Sequence, residues 1–254
     1  MPESEPEFSV RLATTDDERR AAQALRYDVF VRELGGGGAL VDHENGLERD
    51  RFDPYFDHLL VFHNPTRQVV GVYRLMRDDQ ATRAGQFYSD DEYDLSSLKA
   101  TGRRLLELGR SCLHRDYRGG IAMYHLWSGL ARYVDTHDID ILFGVASFHG
   151  TDPRALAQPL SMLHHAHLAP PELRVRARPE RFQRMDLVPP DQLDRRRAMV
   201  EMPALIKAYL RLGGSVGEGA CLDHAFNTTD VCLVLDTAQM NDRQRRLYSG
   251  ERAE

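Results

Sequence analysis

Residues Arg103–Gly150 read RRLLELGRSCLHRDYRGGIAMYHLWSGLARYVDTHDIDILFGVASFHG, and the order of signals within them decides the fold. An apolar run, Leu105 to Leu113, carries two charges, Glu107 and Arg110, and has the length of a buried strand. The turn Arg115-Asp-Tyr-Arg118-Gly119-Gly120 follows. An amphipathic segment to about His137 predicts a helix, and the apolar run Ile139 to Phe148 a second strand. Strand, turn, helix, strand is the result. Glycines in the turn let backbone N–H groups approach a ligand, and the helix dipole favours an anion there. Arg115 and Arg118 add charged forks suited to phosphate. A helix start with an exposed basic turn is the plainer alternative. Neither GxxxxGK[ST] nor GxGxxG occurs, so the turn is not a nucleotide loop of either common kind.

Working outward toward the N-terminus, Phe8 to Ala13 alternates as a strand does, Thr14 to Glu18 is a helix-capping signal, and Ala21 to Leu34 has helical periodicity. Gly35 to Gly38 end that helix and open an acidic loop to about Asp57. Leu59 to His63 and Gln68 to Met76, joined by Asn64-Pro-Thr-Arg67, predict a hairpin. Arg77 to Ser97 reads as polar and irregular. On the C-terminal side, Asp152-Pro153 predicts a helix to about Leu168. Leu173 to Ala177 reads as an edge strand, Ala198 to Leu212 as one helix, Val216 to Leu222 and Asp230 to Leu235 as late strands, and a short basic tail helix follows. No repeat and no linker interrupts the chain. One α+β domain over residues 1–254 is expected, with a core at 7–150 and an elaborated half at 151–254 that completes the sheet.

Composition narrows the function classes. The formal net charge is −6, which argues against nucleic acid as a partner. No apolar run approaches the roughly 18 residues of a membrane-spanning helix. The acidic start MPESEPEF lacks the order of a signal peptide, so a cytoplasmic location is expected. Cys112, Cys221 and Cys232 form no CxxC pair and read as reduced thiols. Positive charge is almost all arginine, clustered at Arg174 to Arg184, Arg195 to Arg197 and Arg243 to Arg246. Such clusters are solvated faces, or docking surfaces for an acidic carrier protein or anionic lipid.

Two charges inside an apolar strand must be paired or functional, because lone buried charges are costly. Glu107 and Arg110 are therefore either a structural set with partners elsewhere, or Glu107 is a base or amine-binding group. Asp42, Glu48, Asp50, Asp53 and Asp57 gather negative charge beside the glycines; they make a solvated loop or a cation-binding one. Several motifs lead nowhere. Gly213-Gly-Ser-Val-Gly217 lacks the strand–serine–helix setting of a nucleophile elbow. His164, His165 and His167 have no second cluster to complete a metal site, so no metal is expected. Cys112 has no histidine placed by sequence to activate it, and a packed thiol is expected.

The segment Glu107 to Phe148 resembles the acyl-donor core of the GNAT superfamily. Its R-x-x-R-G-G turn stands where that family has Q/R-x-x-G-x-G/A, with a different glycine spacing. ELGRSCLHRDYR from Glu107, LFGVASFHGTDP from Leu142, and LIKAYLRLGGSVGEGACLDHAFNTTDVCLVL from Leu205 resemble the ornithine N-acyltransferases that begin ornithine-lipid synthesis, often called hemolysin-like. A wider likeness is to acyl-homoserine-lactone synthases. It rests on Arg26-x-x-Val-Phe30, Glu48-x-Asp50-x-Phe52-Asp53, Arg74-Leu75 and Glu107-x-x-Arg110, although the loop tryptophan of that family is absent after Phe30.

The resemblance implies a GNAT-like αβα sandwich, a mixed twisted central sheet flanked by helices. It implies transfer of a long-chain (3-hydroxy)acyl group from acyl carrier protein to the α-amine of L-ornithine, with no cofactor beyond the phosphopantetheine on the carrier. Glu107, Arg110 and His149 are then the expected catalytic residues. Ser111, Cys112, Leu113, Arg115, Arg118, Gly119, Gly120 and Ser147 are the expected donor-binding residues. Arg26, Asp42, Glu48, Asp50, Asp53 and Arg74 are the expected acceptor-binding residues. A peripheral contact with the inner membrane surface fits a lipid product. An acyl-homoserine-lactone or other N-acyl amino-acid synthase is the alternative, and a membrane-active hemolysin-type protein is disfavoured by the globular composition.

Overall fold

The computed structural model describes residues 6–38 and 41–241. The expected basic tail helix falls outside them. In chain order the elements are β1 (Phe8–Leu12), α1 (Asp16–Arg26), a π-helix (Tyr27–Glu33), β2 (Val41–Asp42), β3 (Leu47–Glu48), β4 (Asp57–His63), β5 (Gln68–Arg77) and α2 (Asp78–Ala84). A 3₁₀ turn (Tyr88–Asp91), β6 (Tyr93–Asp94), α3 (Ser96–Ala100), β7 (Leu105–Leu113), a second 3₁₀ turn (Arg115–Tyr117), α4 (Ile121–Thr136) and β8 (Ile141–His149) follow. The C-terminal half holds α5 (Ala157–His167), β9 (Arg176–Ala177), β10 (Phe182–Gln183), α6 (Arg195–Glu201), α7 (Ala204–Arg211), β11 (Ser215–Val216), β12 (Ala220–Asp223) and β13 (Thr228–Asp236). The fold is α+β, with mixed, mostly antiparallel strands flanked by helices.

The chain divides into two compact units. The first comprises the described residues to Met76 together with Leu108–Asp138, and the second comprises Arg77–Glu107 and the described residues from Ile139 on. Strand β7 gives its first three residues to the second unit and the rest to the first.

In the first unit the strand order is β1-β4-β5-β7. The expected hairpin is β4–β5, antiparallel, with a bulge between Val61 and Phe62. Strand β4 is apolar on consecutive residues because both its faces are covered. Leu60 packs with Ala22, Leu25, Val29, Val72 and Cys112, which is the side of α1. Leu59 faces the opposite way, toward α4, as alternation requires. Gly129 permits that approach: a Cβ there would sit 2.6 Å from Val10 and 3.3 Å from Leu59. Thr15 caps α1 by accepting from the Glu18 N–H. The single helix expected over Ala21–Leu34 is instead α1 followed by the wider π-helix.

In the second unit β8 and β13 pair antiparallel over their full nine residues, from His149↔Thr228 to Asp236↔Ile141. β12 and β11 both pair with β13, and β10 pairs with β12, all antiparallel. Leu105–Glu107 pair parallel with Ile141–Phe143. Parallel neighbours need a crossover, and the chain supplies it as the turn and α4. The segment Arg77–Ser97, expected to be irregular, holds α2, a 3₁₀ turn and β6. Gly85 ends α2 in the left-handed conformation, φ 89°. The helix expected from Asp152-Pro153 starts later, at Ala157; Asp152 instead caps a turn by accepting from Arg154 N–H. The single helix expected over Ala198–Leu212 is two, because Pro203 cannot continue the first and begins the second. Of the edge strand expected at Leu173–Ala177, Arg176–Ala177 pairs with β6, and Arg176 also bridges to Glu218 on its other side.

Candidate active site

The turn after β7 follows from its sequence. Gly119 adopts φ 75°, open to glycine at little cost, and Gly120 is the N-cap of α4. Gly120 brings no capping side chain, and the first turn of α4 carries no acid. The helix N-terminus therefore presents backbone donors and positive dipole without an internal anion. Arg118 folds back: its Nε donates to the Leu113 carbonyl at 3.0 Å and its Nη2 meets Glu33 at 2.8 Å. Arg115 is the more exposed of the turn's two arginines, with Asp116 3.9 Å away. Ser111 is half-buried and Leu113 buried on β7. Cys112 is not a surface contact. Its side chain packs in the core beside α1, and burial pushes its thiol up to about 12, so it is no nucleophile at neutral pH.

The residues expected to hold an acceptor form a different object. Arg26, Arg74 and Glu48 are fully buried, and Asp53 is buried. Arg26 donates to Glu48 Oε2 at 2.5 Å and to Asp53 Oδ1 at 2.8 Å. Arg74 Nη1 donates to Asp50 Oδ2 and Asp53 Oδ1, both at 2.7 Å, with its guanidinium over the Phe56 ring. Arg110 Nε donates to Glu48 Oε1 at 3.0 Å. Three guanidiniums thus match three carboxylates. Burial opposes ionisation of Glu48, but Arg110, Arg26 and Arg74 outweigh it and hold that carboxyl at about 2. Asp53 lies well below the usual range because Arg26 and Arg74 overcome the same penalty. Burial depresses His58, whose Nε2 faces the Asp53 carbonyl at 3.1 Å.

Arg26, Glu48, Asp50, Asp53 and Arg74, expected to bind the acceptor, are engaged with one another. Handing any of these carboxylates to a substrate ammonium would strand a buried arginine. Their work here is to tie residues 48–53 to α1, β5 and β7. Asp42 lies apart: it accepts from Asn45 and pairs with Arg49 at 2.9 Å. Arg110 also departs from simple strand geometry, with φ 53° in the left-handed region.

In the second unit Glu107 is buried, at 1% exposure. Its Oε2 accepts from Tyr88 N–H at 2.8 Å, and its Oε1 accepts from Ser89 N–H at 2.7 Å and from the Ser89 hydroxyl. A carboxylate fed by three donors is held in one orientation. Ser147 and His149 lie exposed on β8, two residues apart on one face, opposite Asp230 and Thr228 of β13. Among the described residues no group of three His, Cys, Asp or Glu could hold a metal ion, and no helix is long and apolar enough to cross a membrane. Several arginines of the basic clusters are paired: Arg176 with Glu218, Arg184 with Asp186 and Arg197 with Glu201.

Residues 25–128 match a family profile described as an acetyltransferase (GNAT) domain. The chain is 60% identical over 247 residues to an L-ornithine N(alpha)-acyltransferase of Rhodobacter capsulatus, covering 95% of each. This chain belongs to the L-ornithine N(alpha)-acyltransferase family. A second member of that family, from Brucella abortus, is 44% identical over 96% of this chain and 89% of its own length. Among solved structures, the N-acyl amino acid synthase FeeM from uncultured soil microbes superposes with TM-score 0.59 at 13% identity, covering 98% of this chain and 99% of its own. A CoA-dependent acyl-homoserine lactone synthase, BjaI, gives TM-score 0.55 at 14% identity, over 96% and 88%. At such identities these two show a shared fold.

Within this member of the family, sequence reasoning missed the Tyr88–Asp91 turn that grips Glu107. A signal was present. Asp78-Asp79 with Gln80 and Gly85 brackets a short helix, and Asp94 followed by Ser96 brackets the next. What lies between them is forced into a tight turn.

Proposed function

We propose that this protein joins a long-chain acyl group to the α-amine of L-ornithine, taking the acyl group as a thioester of acyl carrier protein. The observation that carries this reading is the near full-length relationship, 60% identical, to an L-ornithine N(alpha)-acyltransferase. The uncapped start of α4 with Arg115 supports binding of the carrier's phosphopantetheine phosphate. The amine nitrogen attacks the thioester carbon and forms the N–C bond. The C–S bond then breaks, and the pantetheine thiolate leaves and takes a proton from water. An α-amine titrates near 7.7–8.0, so a minor fraction is neutral at pH 7. Once attack occurs the nitrogen bears a positive charge and becomes strongly acidic, so an anionic carboxylate can accept its proton. Glu107 is that acceptor in this reading, directly or through one water. His149 is the second base to test, and backbone N–H groups near Ser111 or Ser147 are the oxyanion donors to test. No cofactor is required by this chemistry. A cytoplasmic enzyme that meets the inner membrane surface only peripherally suits the product.

Incubation with acyl-carrier-protein thioester and ornithine should release thiol and yield acyl-ornithine detectable by mass spectrometry. Thiol release no faster than the protein-free reaction would overturn the reading. Glu107→Gln should lower kcat by at least about a hundredfold. The fold shared with FeeM favours one further acceptor class, amino acids other than ornithine. S-adenosylmethionine, glycine and tyrosine offered beside ornithine would separate the two.

A further inference from the structure

We infer that Ser89 is a positioning residue for the acyl transfer, aiming the Glu107 carboxylate at the acceptor amine from a turn that Asp90 and Lys99 hold rigid. This rests on the reading of Glu107 as proton acceptor and adds to it. The turn Tyr88–Asp91 sends two successive backbone N–H groups, of Tyr88 and Ser89, to the two oxygens of Glu107 at 2.8 and 2.7 Å. The Ser89 hydroxyl adds a third donor to Oε1. Ser89 is fully buried, so this hydroxyl is not a solvent group that happens to touch.

The turn is itself fixed from the other side. Asp90 Oδ2 accepts from Phe87 N–H at 2.9 Å and closes the turn. Lys99 Nζ grips both Asp90 oxygens at 2.6 and 2.8 Å. Arg178 Nε donates to the Asp90 carbonyl at 2.5 Å. The Phe87 ring stands edge-on against Phe143 at 5.0 Å, which fixes the start of the turn on β8. Phe143 is also the strand neighbour of Glu107. One sheet position therefore carries the carboxylate, and its neighbour carries the turn that aims it. A buried carboxylate needs donors in any case; what this turn adds is that two of the three are backbone groups held in place by Asp90 and Lys99, so the carboxylate keeps one orientation. Hydrogen bonds made before the reaction remove the rotamer freedom that would blunt proton transfer.

The test is a double-mutant cycle on the full chain, with acyl-carrier-protein thioester as donor and ornithine as acceptor. Ser89→Ala keeps both backbone donors and removes one hydroxyl. It should lower kcat by about tenfold, the effect of one hydrogen bond to a charged group, with KM for the acyl donor changed less than about twofold. In the Glu107→Gln background the same substitution should have no further effect on kcat. Lys99→Arg, which preserves the grip on Asp90, should retain wild-type kcat. If Glu107→Gln is slow and Ser89→Ala is either silent or lowers kcat by the same factor in both backgrounds, the positioning role is overturned and the Glu107 reading stands. If Glu107→Gln turns over at the wild-type rate, the Glu107 reading falls and the positioning role falls with it. If Ser89→Ala does not fold, Lys99→Met in the same cycle replaces it, with the same non-additivity expected.

Discussion

Two buried carboxylates of this protein, Glu48 and Glu107, are held in opposite ways. Glu48 sits between the guanidiniums of Arg26 and Arg110, in a network that also ties Asp50 and Asp53 to Arg74. Glu107 accepts from two backbone N–H groups and one hydroxyl of a single turn. Cations neutralise a carboxylate and consume its charge. Donors fixed in one turn orient a carboxylate. In the reading proposed for Glu107, that difference separates a structural acid from a chemical one. In sequence the two look alike, each an acidic residue a few positions from an arginine: Glu107 before Arg110, Glu48 before Arg51.

The largest expected effect comes from breaking the neutralised network. Arg26→Met leaves Glu48 and Asp53 each short of a buried partner, and removing one member of a buried pair typically costs about 3–5 kcal/mol. Denaturant unfolding at pH 7 should show that loss as a lower midpoint with an unchanged slope. A loss below about 1 kcal/mol would erase the distinction drawn between the two carboxylates, because Glu48 would then not depend on its guanidinium partners.

Acid should act on the same network next. Glu48 is held at about 2 in the folded chain against an ordinary value of 4.5, and Asp53 is depressed further. A group with a depressed folded value contributes stability that is fully present above its unfolded value and is lost as pH falls through the folded one. Stability should therefore start to decline below about pH 4.5 and keep falling toward about pH 2. Unfolding midpoints measured at steps between pH 6 and pH 2.5 would trace it. In Arg26→Met the decline should be shallower, since the partner that depresses both carboxylates has gone.

These contrasts explain what the sequence disclosed and what it withheld. The stretch Leu105–His149 was legible as strand, turn, helix and strand because each piece is contiguous and keeps its own period. The turn was legible because Gly119 needs its positive φ whatever packs around it. Pairing between Arg26 and Glu48, 22 residues apart, obeys no local rule, so the acidic loop read equally as solvent-facing or substrate-facing. The break between α6 and α7 was visible at Pro203 but was smoothed over by the apolar periodicity on either side. Arg77–Ser97 carries no readable period because its helix α2 is seven residues long and its other elements are shorter still. The grip on Glu107 lies in that short-period region, and so it emerges only from coordinates.

The smallest expected effect on stability belongs to Lys99, and it sharpens the contrast from the other side. Lys99 is one of two lysines in the chain, and its side chain is 46% exposed while it grips Asp90. Lys99 reaches the buried Asp90 from the solvent side, and Asp90 keeps the Phe87 N–H without it, so the screened pair is worth about 0–1 kcal/mol and Lys99→Met should barely move the unfolding midpoint. Turnover should respond more. The pair stiffens the Tyr88–Asp91 turn, and a turn freed to rock would blur the aim of the two N–H groups on Glu107. A kcat several-fold below wild type, with stability within about 0.5 kcal/mol, would separate aim from stability. Arg26→Met should show the reverse balance, a large stability loss whose effect on turnover follows from the fraction of chain left folded. Matched losses of stability and turnover in Lys99→Met would place the Glu107 turn in the same class as the arginine network, as architecture alone.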